Sequence, residues 1–299
     1  MPHLSGTSPR AARGLGRERA RRGSGSKARD RTAPGSELES GSFFDDPLYL
    51  RTVRAERTDA VSTEEALAAA RLVGCEPGAL ILDAGCGEGR HALPLARAGY
   101  RVVAFDRSAP LLEAARRSAG RARWPRFVRG CYASLPFGSR RFDAVLSLGT
   151  ALGHLGDDGD QRALCEFCRV LVPGGRLVIE TLHREELEAR LAPHEERALP
   201  GGATLRVDRR FDPGRGIMHE TQRLRDDAGW GPARAYDMRV YGVGELGSML
   251  RQAGFDQVEC CGSLAGTGKP TPTTALVVVA ASPGAGGAGK RRSPASRRR

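Results

Sequence analysis

Apolar positions along the chain fall into short unbroken runs that alternate with amphipathic stretches. Leu80-Ile81-Leu82, Arg101 to Phe105, Phe127-Val128-Arg129, Phe142 to Leu148 and Leu177 to Leu182 read as strands with little polar interruption. Between and before them lie segments of helical composition: Thr63 to Val73, His91 to Ala98, Ala109 to Ser118 with Ser108 as N-cap, and Asp160 to Leu171 closed by Pro173-Gly174-Gly175. Strands that are apolar throughout and separated by helices imply a mostly parallel, doubly wound α/β sheet covered on both faces. The rhythm changes between Gly201 and Tyr241. Three polar, alternating segments, Thr204–Phe211, Ile217–Leu224 and Ala235–Tyr241, are split by Asp212-Pro213-Gly214 and Asp226-Asp227-Ala228-Gly229, which predicts a small antiparallel β lid over 201–241 inserted into the sheet. A helix at Glu245–Ala253 and strands at Gln257–Cys261 and Thr274–Ala281 follow. The last two have no crossover helix between them, so an antiparallel strand at the C-terminus is expected to close the sheet.

Composition changes this picture only at the ends. The net charge of +12 suggests a nucleic-acid partner until it is divided by region. Residues 1–40 carry nine basic and four acidic side chains, and residues 284–299 carry six basic and no acidic ones, which leaves +1 for the 243 residues between. Both ends are rich in Arg, Gly, Ser, Ala and Pro and poor in large apolar side chains, so 1–40 and 283–299 are expected to be disordered basic tails around a folded unit at 41–282. The seven cysteines lack framework spacing and there is no membrane span or signal-peptide core, which is the pattern of reduced thiols in a cytoplasmic protein. Cys165-Glu166-Phe167-Cys168 falls within an expected helix and Cys260-Cys261 lacks zinc spacing, so no metal is expected.

The chemistry concentrates at Asp83-Ala84-Gly85-Cys86-Gly87-Glu88-Gly89-Arg90, between the first strand and a helix. Small backbone beside the free N–H groups of a helix start lets a ligand touch the main chain. A dinucleotide site wants G-x-G-x-x-G, and from Gly85 the third glycine falls on Arg90. The pattern present is D-x-G-x-G-x-G with a second acid, Asp106, ending the next strand. Together with Leu135-Pro136-Phe137 before Phe142-Asp143, the Leu171-Val172-Pro173-Gly174-Gly175 turn and Ala253-Gly254-Phe255, it resembles the class I S-adenosylmethionine-dependent methyltransferases, over about residues 43–281.

That resemblance implies a Rossmann-like fold and S-adenosylmethionine as cofactor. It assigns Gly85, Cys86, Gly87 and Gly89 to the methionine end, with Asp83 below them organising the loop and the amino group, and gives Asp106 the two ribose hydroxyls. In many relatives an aspartate after the third strand meets the adenine amino group; here Cys131 stands there, a poor acceptor, which leaves the base to main-chain groups near Tyr132. His154, just past the fourth strand where the family's acceptor pocket opens, is the candidate general base, with His183 second, while His91 is assigned to packing or capping. Phe43, Phe44 and Tyr49 as a pocket roof, and Arg54 or Arg57 on the cofactor carboxylate, compete with plain helix packing and a solvated charged face.

The expected function is methyl transfer to an O or N atom of a small-molecule acceptor. Two alternatives stand beside it: an RNA or protein methyltransferase recruited through the basic tails, and a non-catalytic S-adenosylmethionine-binding or regulatory protein. The near-neutral body and the absence of an Asn/Asp-Pro-Pro-aromatic signature after the fourth strand weigh against nucleic acid. The sequence leaves the oligomeric state open.

Overall fold

The computed structural model describes residues 43–56, 59–264 and 276–284. The stretches 1–40 and 285–299, Arg57 and the start of the expected last strand lie outside the described residues, as does the side chain of Arg54. Seven strands form the main sheet: β1 (Leu80–Ala84), β2 (Arg101–Asp106), β3 (Arg126–Arg129), β4 (Phe142–Ser147), β5 (Leu171–Thr181), and the last two, which in chain order are β11 (Gln257–Cys261) and β12 (Leu276–Ala281). Their spatial order is β11-β12-β5-β4-β1-β2-β3, with β1 to β5 parallel and β12 antiparallel to both of its neighbours.

Alternate residues of single strands enter opposite layers, which is why these strands read as unbroken apolar runs. Ile81, Val102, Ala104 and Leu146 pack with Ala66 and Ala69 of α2 (Asp59–Leu72), Leu95 of α3 (Ala92–Arg97) and Leu112 of α4 (Ala109–Ala119). Leu82, Val103, Phe105 and Val145 pack on the other side with Leu164 and Phe167 of α5 (Gly156–Val170) and with Leu246 and Leu250 of α7 (Val243–Gln252). A parallel sheet buried on both faces has no amphipathic strand to show.

Five elements depart from the expected pattern. Pro47 opens a helix, α1 (Pro47–Glu56), because proline at a first helical position gives up only an N–H that has no partner there anyway. The helix before strand five starts at Gly156 rather than Asp160, with Asp157 and Asp158 in its first turn complementing the helix dipole. It ends at Val170, and Leu171 already pairs with Phe142, so Pro173-Gly174-Gly175 forms an irregularity within β5 instead of a loop before it. After β5 come α6 (Arg184–Arg190) and β6 (His194–Ala198), neither of which was expected.

β6 is the edge of a second, antiparallel sheet with β7 (Thr204–Asp212), β8 (Ile217–Asp226), β9 (Gly229–Trp230) and β10 (Arg234–Arg239). The antiparallel unit expected over 201–241 therefore begins earlier, at His194. Gly153, in the loop after β4, joins this sheet to the main one. Its carbonyl accepts the Arg239 N–H at 2.7 Å, and its N–H donates to Asp160 Oδ1 at 3.3 Å. Arg239 in turn pairs with Asp157 at 2.6 Å and with Glu245, and Tyr241 donates to Asp160 at 2.8 Å.

Gly153 has φ +112°, and a Cβ there would stand 2.4 Å from the Arg239 carbonyl oxygen. Gly153→Ala is expected to cost at least about 1–3 kcal/mol, read as a lower denaturant midpoint at unchanged slope. An unchanged midpoint would contradict the contact.

Candidate active site

The site begins with what a strand end must do with its last peptide groups. At the end of β2 the Phe105 carbonyl accepts N–H bonds from Gly85 at 2.8 Å and Cys86 at 3.1 Å, which folds the glycine loop over the strand. Gly85 needs a left-handed φ of +85°, and a Cβ on it would meet the Ala151 side chain at 2.5 Å. Gly87 is also left-handed, and its N–H donates to Asp106 Oδ2 at 2.8 Å. The other oxygen, Asp106 Oδ1, accepts the Ser108 N–H at 2.8 Å. Each carboxylate oxygen is thus fixed by one main-chain donor and keeps a further lone pair. Asp106 is 8% exposed; burial raises its pKa while the Ser108 and Gly87 N–H groups pull it back.

Ser108 caps α4 and also donates through its hydroxyl to the Phe44 carbonyl at 3.2 Å. That contact brings the N-terminal aromatics over the loop. Phe44 packs edge-on against His154, with ring centroids 5.0 Å apart, and Tyr236 of β10 lies 5.6 Å from His154 and 4.6 Å from Phe43. Glu180, near the end of β5, holds the loop that carries His154: its side chain accepts the Gly149 N–H and its carbonyl the Thr150 N–H, both at 3.0 Å.

A cavity of about 710 Å³ runs through these residues. Gly85, Gly87, Asp106 and Tyr132 line one part of it, and His154, Phe44, His183 and side chains of the second sheet line the rest. The other expected site residues are placed differently. Gly89 does not line the cavity; a Cβ there would meet Ala115 at 3.2 Å, so its role is the passage of the chain beside α4. Cys86 is buried beneath the loop, and burial pushes its thiol pKa up. Cys131 is exposed and is not among the residues that line the cavity, whereas Tyr132 is. Tyr132 is held there by donating its hydroxyl to the Ala151 carbonyl at 2.6 Å. Cys165 and Cys168 lie on α5, and among the described residues no group of three or more His, Cys, Asp or Glu could hold a metal.

Asp83 lies under the loop, 1% exposed, with Oδ2 lacking a hydrogen-bond partner. Burial raises its pKa from 3.8 to about 7, against the attraction of Arg90. A carboxyl group raised in the folded state stabilises below its unfolded pKa and loses that contribution as pH rises through about 7. His91 is buried, with Nε2 3.2 Å from Glu65.

His154 is oriented by what faces it. Its Nε2 lies 3.0 Å from the Thr150 carbonyl oxygen, which only accepts, so Nε2 carries the proton and Nδ1 the lone pair. Nδ1 is buried with no hydrogen-bond partner. The polar inner face of the second sheet, with Arg209, Glu220 and Gln222, also reaches the cavity. Sequence reasoning missed these residues. Their only signal was the alternation along Ile217–Leu224, which does not say what the buried face meets.

A family model described as a methyltransferase domain matches residues 81–175, which hold the glycine loop, Asp106 and His154. The matched residues, about a third of the chain, are those of a methyltransferase domain. The chain is 38% identical over 109 residues to a demethylmenaquinone methyltransferase of Renibacterium salmoninarum, which covers 36% of this chain and 43% of that protein. It is 36% identical over 110 residues to a probable tRNA methyltransferase 9B of Homo sapiens, covering 35% of this chain and 21% of that one. The chain thus spans less than half the length of these curated relatives. Among solved structures, the CcbJ methyltransferase from Streptomyces caelestis superposes with a TM-score of 0.69 at 25% identity, over 83% of this chain and all of that one. Among the described residues of this methyltransferase-domain protein, no helix is long and apolar enough to cross a membrane.

Burial depresses the His154 pKa from 6.5 to about 4. Below pH 6.5 the unfolded chain takes up a proton there that the folded chain refuses until about pH 4, so this residue costs stability as pH falls through that window. In a histidine-labelled sample, the His154 resonance is expected to titrate near pH 4. Titration near 6.5 would contradict a buried neutral imidazole.

Proposed function

We propose that this protein is an S-adenosylmethionine-dependent methyltransferase acting on an oxygen or nitrogen of a small polar molecule. The observation that carries the reading is one continuous cavity lined by the glycine loop, a pinned Asp106 carboxylate, His154 and the aromatic side chains around it. Its volume, about 710 Å³, is in the range that encloses drug-sized ligands.

The residues present fit the cofactor. Gly85 and Gly87 leave main chain bare beside the cavity, and the free lone pairs of Asp106 match a vicinal diol whose two hydroxyls donate. The buried, unpaired Asp83 Oδ2 under the loop favours a cationic group above it. Tyr132 supplies an aromatic wall. When bound, S-adenosylmethionine supplies a methyl group on a sulfonium, and its transfer needs alignment and dryness more than strong acid or base.

The chain's own groups provide both conditions. Phe43, Phe44 and Tyr236 close the far side with apolar surface and keep water from the acceptor end. His154, buried in the wall of the acceptor end, stays neutral and helps shape the space in which the nucleophilic lone pair meets the methyl group. With a pKa near 4 it suits an amine, whose nucleophilic lone pair needs no prior deprotonation, better than a hydroxyl that must be ionised. The antiparallel sheet then acts as the lid of the acceptor end. A cavity of this volume suits a small acceptor, which is the reading set against RNA or protein substrates.

Asp106→Ala tests the cofactor half of the proposal. Calorimetry with S-adenosylhomocysteine is expected to show affinity lost by on the order of tenfold to a hundredfold, the range for hydrogen bonds to a charged group. Equal affinity for the variant and the parent would sink the ribose assignment.

A further inference from the structure

His183, Glu186, Leu187, Arg190 and Leu191 all line the cavity, at the spacing i, i+3, i+4, i+7, i+8 along α6 and its ends. That is the spacing with which a surface helix covers a protein core. Here the helix buries none of its own residues. Leu187 and Leu191 stay half-buried. Leu187 touches the small apolar cluster of Met218, Met238 and Val240, and Leu191 joins none of the apolar clusters among the described residues. The face that would meet a core therefore meets the cavity.

The helix is fixed at both ends. Arg184 at its start donates through Nη2 to the Pro213 carbonyl at 2.5 Å, in the turn between β7 and β8, and through Nε to Glu188 at 3.0 Å. Just past its end the Pro193 carbonyl accepts the Arg209 N–H of β7 at 2.8 Å. Across from it, Met218 of β8 and Met238 of β10 are cross-strand partners, and both line the cavity. Met238 Cγ lies 2.9 Å from where a Cβ on Gly153 would stand, so this pair begins beside the loop that carries His154. Further along the same face come Tyr236 and Glu220, the latter with its charge compensated by Arg209 Nε at 2.8 Å. The space between α6 and the two methionines is thus an apolar slot that opens from the acceptor end, with Glu186 and Arg190 bordering the leucines. Methionine side chains adapt to the shape of what they cover, which suits them to one wall of such a slot.

An apolar group placed there takes its own surface and that of the leucines out of water together. We infer that α6 is an acceptor-binding helix and that the methyl acceptor is an amphiphile. Its amine or hydroxyl lies at the His154 end, and an alkyl or aryl arm runs between Leu187 and Leu191 on one side and Met218 and Met238 on the other. The inference rests on the proposed methyltransferase reading and deepens it from the reacting atom to the kind of molecule that carries it. An acceptor that is polar throughout leaves the slot wet and is disfavoured.

The test uses the full chain loaded with S-adenosylhomocysteine, titrated calorimetrically with primary n-alkylamines and n-alkanols from ethyl to hexyl. Affinity is expected to rise about fourfold with each added methylene, the factor that burial of one such group gives. Leu191→Asn takes apolar surface from the slot at a position outside every core cluster. It is expected to bind S-adenosylhomocysteine as the parent does and to lower the gain per methylene to about twofold or less. Hydrogen exchange on the parent gives a second readout: the amides of residues 184–191 are expected to exchange more slowly with hexylamine bound. Affinity that does not change with chain length, no binding of either series, unchanged exchange in α6, or an equal gain per methylene in Leu191→Asn would overturn the inference. A parent that binds no S-adenosylhomocysteine is a distinct result that removes the methyltransferase reading itself, and the same two series on the unloaded protein then decide whether the slot takes an apolar arm.

Discussion

The Asp106 carboxylate, gripped by two main-chain N–H groups, is the constraint on which the site depends. One donor comes from Gly87 in the loop after β1 and the other from Ser108 at the start of α4. Two loops from neighbouring parallel strands are therefore fixed to one side chain, and the Ser108 hydroxyl extends the grip to the N-terminal segment through the Phe44 carbonyl. Phe44 then meets His154, and His154 meets Tyr236 of the second sheet. A single buried acid thus sets the positions of the glycine loop, the aromatic wall and the imidazole. Asp106 itself lines the cavity, and each of its oxygens keeps a lone pair beyond the one bonded to the main chain.

The second sheet works on the opposite principle. Its inward residues are paired among themselves, Glu195 with Arg209, Arg209 with Glu220, Glu220 with Gln222, until the chain of partners ends on an oxygen that has none. Pre-paired charges contribute little attraction of their own, but they hold the terminal amide in one orientation. The two halves of the cavity therefore combine fixed polar groups with aromatic walls. Asp83 below the loop and His154 beyond it are both pushed by burial toward their neutral forms, one upward and one downward.

Much of the first half of the site was legible in the sequence because it rests on local rules. Glycines at positive φ, an acid at a strand end and a serine N-cap need no partners from far away to be recognised, and Gly85, Gly87 and Asp106 stand together on the cavity as their spacing suggests. Cys131 is the instructive exception. Its place after β3 follows from sequence, but that Cys131 is exposed while Tyr132 lines the cavity and bonds to Ala151, 19 positions away, does not. The antiparallel unit was legible as alternation, and its first strand was not: β6, with its run of His, Glu and Arg, is stabilised by pairing with β7 and by ion pairs such as Arg209–Glu195. The placement of Gln222 lay beyond reach for the same reason, since it arises from which strands are neighbours.

The central claim is that the glycine loop and Asp106 together form the cofactor seat. A crystal structure of the protein with S-adenosylhomocysteine measures this most directly. The account predicts that the ribose hydroxyls lie within hydrogen-bond distance of the Asp106 carboxylate and the methionine portion lies along Gly85 and Gly87. A ligand bound elsewhere, or one in this cavity with its ribose turned away from Asp106, would contradict it.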